Sequence, residues 1–108
     1  MILERGAVHW ASLPGVGLRP ALVVSWNGVN LRLGQPVVAR ITTVDRGRSL
    51  DTFVPLEAGE GGLDQDSFVL CHDLSTVSRT AIGLRLGQLR GRRMREIDAA
   101  LRRSLDLV

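Results

Sequence analysis

Apolar and polar positions alternate along most of this chain in short runs that end at glycine, proline or asparagine, the pattern of half-buried strands joined by turns. The run Ala21-Leu22-Val23-Val24 does not alternate. It is apolar throughout and rich in β-branched residues, as in a strand buried on both faces. Pro20 precedes it, restricts Arg19 to extended geometry and suits the first position of a strand. A second extended run, Pro36 to Thr43, ends in the paired hydroxyls Thr42 and Thr43. If these two runs pair antiparallel, Arg19 and Thr42 emerge at the same end and form a candidate site.

The other elements follow from the same pattern. Gly6 to Ala11 reads as a first strand, with Val8 and Trp10 on one face and a half-exposed, structural His9 on the other. Ser12 to Leu18 is a breaker-rich loop, either a lip over the site or an ordinary hairpin connection. Asn27-Gly28 marks a tight turn, and Asp45 to Ser49 a charged loop. Thr52 to Leu56 is a short strand that Pro55 places at an edge. Gly59 to Gly62 is a turn with no phosphate-loop character, since neither lysine nor a long helix follows. Ser67 to Cys71 is a strand leading into the polar cluster His72-Asp73-Leu74-Ser75-Thr76, a second site element or a turn in which Asp73 and Ser75 cap local amides. Ser78 to Gly83 holds a short helical turn, and Leu84 to Leu89 a final strand. A helix from about Gly91 to Leu105 carries the apolar stripe Met94, Ile97, Leu101, Leu105. The sum is a single mainly β domain over residues 1–108: a small, strongly bent antiparallel barrel closed by a C-terminal helix.

Composition narrows the chemistry. The single cysteine, Cys71, excludes an internal disulfide, and no Cys/His cluster has zinc spacing, so neither metal nor cofactor is expected. No apolar stretch reaches the ~20 residues of a membrane span, and no secretory signal is present, which points to the cytoplasm. All 14 basic residues are arginine, whose planar fork suits phosphate. The formal net charge of +3 resides in residues 88–108, because arginines and carboxylates balance before that point.

Taken together these residues resemble the MazF/PemK family of toxin endoribonucleases. The resemblance runs from Arg5-Gly6-Ala7-Val8 to the C-terminal helix. It rests on Arg19-Pro20-Ala21-Leu22-Val23-Val24-Ser25, on Ile41-Thr42-Thr43, on Gly62 to Leu70 and on Leu74-Ser75-Thr76-Val77. It implies an SH3-like barrel that forms a homodimer, metal-independent and sequence-selective cleavage of single-stranded RNA, and inhibition by a MazE-like antitoxin whose tail lies along the RNA groove. The family's catalytic arginine falls on Arg19 and its catalytic threonine on Thr42, with RNA contacts expected at Asn30, Thr43, Asp73, Ser75 and Thr76.

Three positions depart from the family pattern. The loop before Arg19 is short, Val44 replaces a frequent glutamine, and the usual acidic-Gln-x-Arg-Thr cluster reads His72 to Thr76. His72 falls where one branch has an Asp implicated in acid/base chemistry, and histidine titrates near neutral pH. His72 is therefore a candidate proton shuttle, with a structural or base-contacting role as its alternative. Two other functions stand beside the endoribonuclease: a noncatalytic toxin of the same fold that binds a protein such as a topoisomerase, and an inactive RNA-binding relative. Arg19 and Thr42 together argue against the first. Two Trp, two Phe and no Tyr leave few stacking platforms for the second.

Overall fold

A computed structural model describes residues 2–44 and 50–108; the expected charged loop Asp45–Ser49 lies outside the described residues. Six strands form one antiparallel sheet: β1 (Ala7–Leu13), β2 (Gly17–Val23), β3 (Val37–Thr42), β4 (Phe53–Leu56), β5 (Ser67–Thr76) and β6 (Ile82–Gln88), in the spatial order β4-β5-β3-β2-β1-β6. Edge strands β4 and β6 do not pair with each other, so the barrel is not closed by hydrogen bonds, although the mainly β, helix-capped fold is as expected. Pro55 lies on edge strand β4, where its missing donor costs no ladder bond.

The central strands are buried on both faces. Leu22, Ala39 and Ile41 join one apolar cluster with Val8, Val54, Val69 and Ile97. Ala21, Val23 and Val38 join another with Ala11, Leu13 and Ile82. Helix α2 (Gly91–Ser104) inserts Ile97 and Ala100 into the first cluster, flanked by Met94 and Leu101. Full burial of a side chain such as Ile97 stabilises by about 1.5–3 kcal/mol. Leu105, placed on this stripe from the sequence, is exposed beyond the end of the helix.

Three local expectations change, and one open alternative is decided. Asn27-Gly28 is not a tight turn but the start of α1 (Asn27–Leu33), which ends at Gly34 in the left-handed conformation with Pro36 shortly after. The breaker-rich segment is a hairpin, because β1 continues to Leu13 and β2 begins at Gly17. His9 is buried, not half-exposed. Its Nδ1 donates to the Gly83 carbonyl at 3.0 Å, since a carbonyl can only accept, and its Nε2 has no partner among the described residues. Finally, the polar cluster His72–Thr76 does not follow a strand end. It lies within β5, which runs on to Thr76 through a bulge between the Ala39–Leu74 and Arg40–Leu70 pairs.

A 3-10 turn, Glu60–Gly62, crosses against β6 at van der Waals distance. A Cβ on Gly62 would lie 1.9 Å from the Leu86 carbonyl oxygen, and one on Gly87 would lie 2.4 Å from Gly61 carbon. Only glycine allows this approach. The crossing presents Leu63, Asp64 and Gln65 toward the ends of β2 and β3.

Candidate active site

Strands β2 and β3 pair Ala21 with Arg40, Leu22 with Ala39 and Val23 with Val38. The ladder stops at Ala21, just short of Pro20, which cannot donate to it. The same register carried two residues outward sets Arg19 opposite Thr42. Both residues line one open groove of about 570 Å³, lined also by Trp10, Leu18, Leu86 and Leu63 to Gln65. The juxtaposition expected from the two extended runs is present.

The local geometry leaves both groups ready to donate. Arg19 is exposed, and among the described residues its guanidinium makes a single hydrogen bond, from Nη1 to the Leu18 carbonyl at 2.8 Å. Among the described residues the rest of the fork has no hydrogen-bond partner. Thr42 is half-buried, and its Oγ1 accepts from the Val44 amide at 3.1 Å, so its hydroxyl proton stays available for a ligand. Thr43 is exposed on the same groove.

The remaining candidates lie elsewhere in the protomer. Asn30 is buried, and its amide donates to the carbonyls of Leu3 (3.3 Å) and Ser25 (3.1 Å), while its side-chain oxygen accepts from the Ser25 hydroxyl. It ties α1 to the N-terminal segment and has no surface to offer RNA. Ser75 and Thr76 pair with Val38 and Val37, at the opposite end of β3 from Thr42, about 17 Å along the strand. His72 is not on the groove. Its ring stacks on Phe53 (centroids 5.1 Å apart) and its Nδ1 meets the Thr52 hydroxyl at 3.0 Å. Asp73 reaches the groove only through Arg40, whose Nη1 lies 3.7 Å from its carboxylate.

Arg40 itself was missed from the sequence, and so were Trp10, Asp64 and Gln65. Strand alternation carried the signal for Arg40: an arginine two residues before Thr42, in an otherwise apolar run, must share the threonine's face. The other three depend on the glycine crossing and on sheet curvature, which no local pattern encodes.

Three ionisable groups outside the groove are strongly perturbed, Arg93 among them, raised above the ordinary arginine value by its hydrogen bonds to Glu60 and Glu96. Glu60 sits well below the usual carboxylate range, at about 2, chiefly because Arg93 donates to both its oxygens, at 2.8 and 2.7 Å. Burial pushes the Cys71 thiol up to about 12, which leaves it a small apolar core residue rather than a nucleophile. Among the described residues no three His, Cys, Asp or Glu side chains converge as a metal site. No helix there is long and apolar enough to cross a membrane.

Residues 4–105 match the family model described as "PemK-like, MazF-like toxin of type II toxin-antitoxin system". The chain is 36% identical over 102 residues to the probable endoribonuclease MazF5 of Mycobacterium tuberculosis, covering 94% of this chain and 92% of that protein. It is 31% identical over 114 residues to endoribonuclease EndoA of Bacillus subtilis, covering 100% and 98%. A solved mycobacterial endoribonuclease in complex with its cognate antitoxin superposes with a TM-score of 0.85 at 28% identity, covering 98% of this chain and 97% of that one.

Proposed function

The chain belongs to the PemK-like, MazF-like toxin family of type II toxin–antitoxin systems, and from that premise we propose that it is an endoribonuclease toxin cutting single-stranded RNA in the groove that holds Arg19 and Thr42. The observation that carries this reading is the meeting of these two side chains, with unused donors, at one rim.

The reaction follows from the groups present. The ribose 2′-oxygen attacks the adjacent phosphorus, the bond to the 5′-oxygen breaks, the 2′-hydroxyl proton leaves to solvent and the 5′-oxygen gains one. The products are a 2′,3′-cyclic phosphate and a 5′-hydroxyl. Negative charge grows on the nonbridging oxygens in the transition state, where the Arg19 fork can donate to both. Thr42 supplies one further donor, held by its Val44 contact. Arginine side chains do not give up their proton in proteins, so Arg19 stabilises charge and does not act as the base. His72 lies outside the groove of its own protomer, which supports its structural role over the shuttle.

The partners follow from the family: a second copy forming a homodimer, and a cognate antitoxin of the MazE type that competes with RNA for the groove. The site of action is the cytoplasm, where RNA is translated. A single toxin domain over residues 1–108 is part of the same proposal.

Cleavage of a long single-stranded RNA in EDTA, with primer-extension mapping of the cuts, tests the proposal. Discrete cuts bearing 2′,3′-cyclic ends are expected to persist in chelator. Arg19→Ala should abolish them, and Thr42→Ala should slow them by about 10²–10³-fold. An intact wild-type protein that leaves RNA uncut would refute the enzyme and redirect attention to a protein target.

A further inference from the structure

We propose that Arg40 is a second phosphate-binding residue of the groove, gripping the phosphodiester next to the one held by Arg19, with Asp73 as its resting counter-ion. The inference rests on the groove being the RNA site. Arg40 lines that groove together with Arg19 and Thr42. It precedes Thr42 by two residues on β3, so it shares Thr42's face about 7 Å further along the strand.

Its electrostatic situation is incomplete. The side chain is only 26% exposed, and its Nε is buried with no hydrogen-bond partner among the described residues. Its Nη1 is 3.7 Å from Asp73, beyond hydrogen-bonding range, and Asp73 is itself 38% exposed. A largely buried cation with an orphan donor is costly unless an anion completes its shell. The β5 bulge brings Asp73 close enough to neutralise Arg40 but not to occupy its fork. An incoming phosphate oxygen can take the Nη donors that Asp73 leaves without a hydrogen bond, while the buried Nε stays out of its reach. Asp73, expected from the sequence to bind RNA directly, would repel a phosphate and instead holds this arginine.

A phosphate is favoured over a base edge because the Arg40 stem lies in the groove floor, between Ala21 on β2 and Leu70 on β5. There it meets the chain that threads the groove whatever the sequence. The contact is consequently sequence-independent and salt-sensitive.

The test uses a 2′-O-methyl RNA oligonucleotide spanning a mapped cut, which binds but cannot form the cyclic product. Binding to wild type, Arg40→Gln, Arg40→Lys and Asp73→Asn is measured over a range of salt, with circular dichroism to verify the fold. Arg40→Gln should weaken binding about 10- to 100-fold and flatten the slope of log K against log salt by about 0.7. In cleavage it should raise KM while kcat changes little. Arg40→Lys should restore the slope though not the full affinity, and guards against a fold defect in the glutamine variant. Asp73→Asn should tighten binding, and do so only while Arg40 is present.

If wild type cuts RNA at discrete sites while Arg40→Gln keeps its affinity and slope, this inference fails and the enzyme stands. Altered cut-site preference with an unchanged slope would mean a base contact, and also overturns it. A wild-type protein that neither cuts nor binds sinks both readings.

Discussion

Replacing Glu60 with glutamine should destabilise the fold at neutral pH and cost progressively less as the solution is acidified. Arg93 donates to both Glu60 oxygens, and the Glu57 amide adds a third donor at 2.8 Å. These contacts lower the carboxyl from its ordinary value of 4.5 to about 2. At 1.36 kcal/mol per pH unit the full shift would correspond to about 3 kcal/mol. The Glu60 side chain is 30% exposed, so solvent screening brings the expected contribution to about 1–2 kcal/mol. Because the folded value is the lower one, the stabilisation is complete above pH ~4.5 and is lost as pH falls through about 2. Glutamine retains one neutral acceptor for Arg93, which still holds Glu96 at 2.8 Å, so the variant should fold. Urea unfolding of both proteins would be followed by circular dichroism between pH 7 and pH 2.5. Protein concentration is held fixed, since the proposed dimerisation would make stability concentration-dependent. The gap should be about 1–2 kcal/mol at pH 7 and should close toward the acid limit. A gap that stays constant, or widens in acid, would refute the ion pair as its cause.

Two further outcomes test other parts of the structure. Gly62→Ala places a methyl 1.9 Å from the Leu86 carbonyl oxygen at a φ of +73°, and should cost more than about 3 kcal/mol in thermal or urea unfolding; Gly59→Ala, at a φ of +97° with open space around its Cβ, should cost only about 1 kcal/mol. His72→Ala should lose about 0.5–1.5 kcal/mol from its stack on Phe53 yet leave the cleavage rate and its pH profile unchanged; a shifted profile would reinstate His72 as a proton carrier.

The sequence disclosed what depends on local pattern and much less of what depends on chain crossings. Pro20 ahead of an unbroken apolar run located β2, the two threonines located the end of β3, and antiparallel pairing was enough to bring Arg19 to Thr42. The C-terminal helix was legible from its 3.6-residue period. Asn27-Gly28 misled because its turn propensity was overridden: burial of Asn30 among Leu3 and Ser25, with Gly34 and Pro36 stopping the chain, makes a helix there. His72 to Thr76 misled for another reason. Polar residues in succession read as a strand end, whereas a bulge lets β5 continue while turning Asp73 toward Arg40. The wall from Leu63 to Gln65 was invisible because it depends on two glycines meeting from distant parts of the chain.

The arginines show why charge counts are a poor guide to the binding surface. The basic tail carries the net charge, yet Arg93 is committed to Glu60 and Glu96, and Arg92 lies 3.8 Å from Glu96. Arg103 lies 3.7 Å from Asp51, and at the other end of the chain Arg5 pairs with Asp98 at 2.6 Å. These pairs fasten α2 to the N-terminal segment and to the loops flanking β4, so much of the positive charge is neutralised locally within the fold. The groove, by contrast, has only Arg19 and Arg40 facing Asp64 among its described lining residues. Two cations of different burial set its character. In the proposed reaction the exposed Arg19 is free to follow the phosphate as its geometry changes, while the half-buried Arg40, held by β3, would fix where the neighbouring phosphate lies. Positioning a substrate by one rigid contact and stabilising its transition state by one adaptable contact requires only that two strands end together.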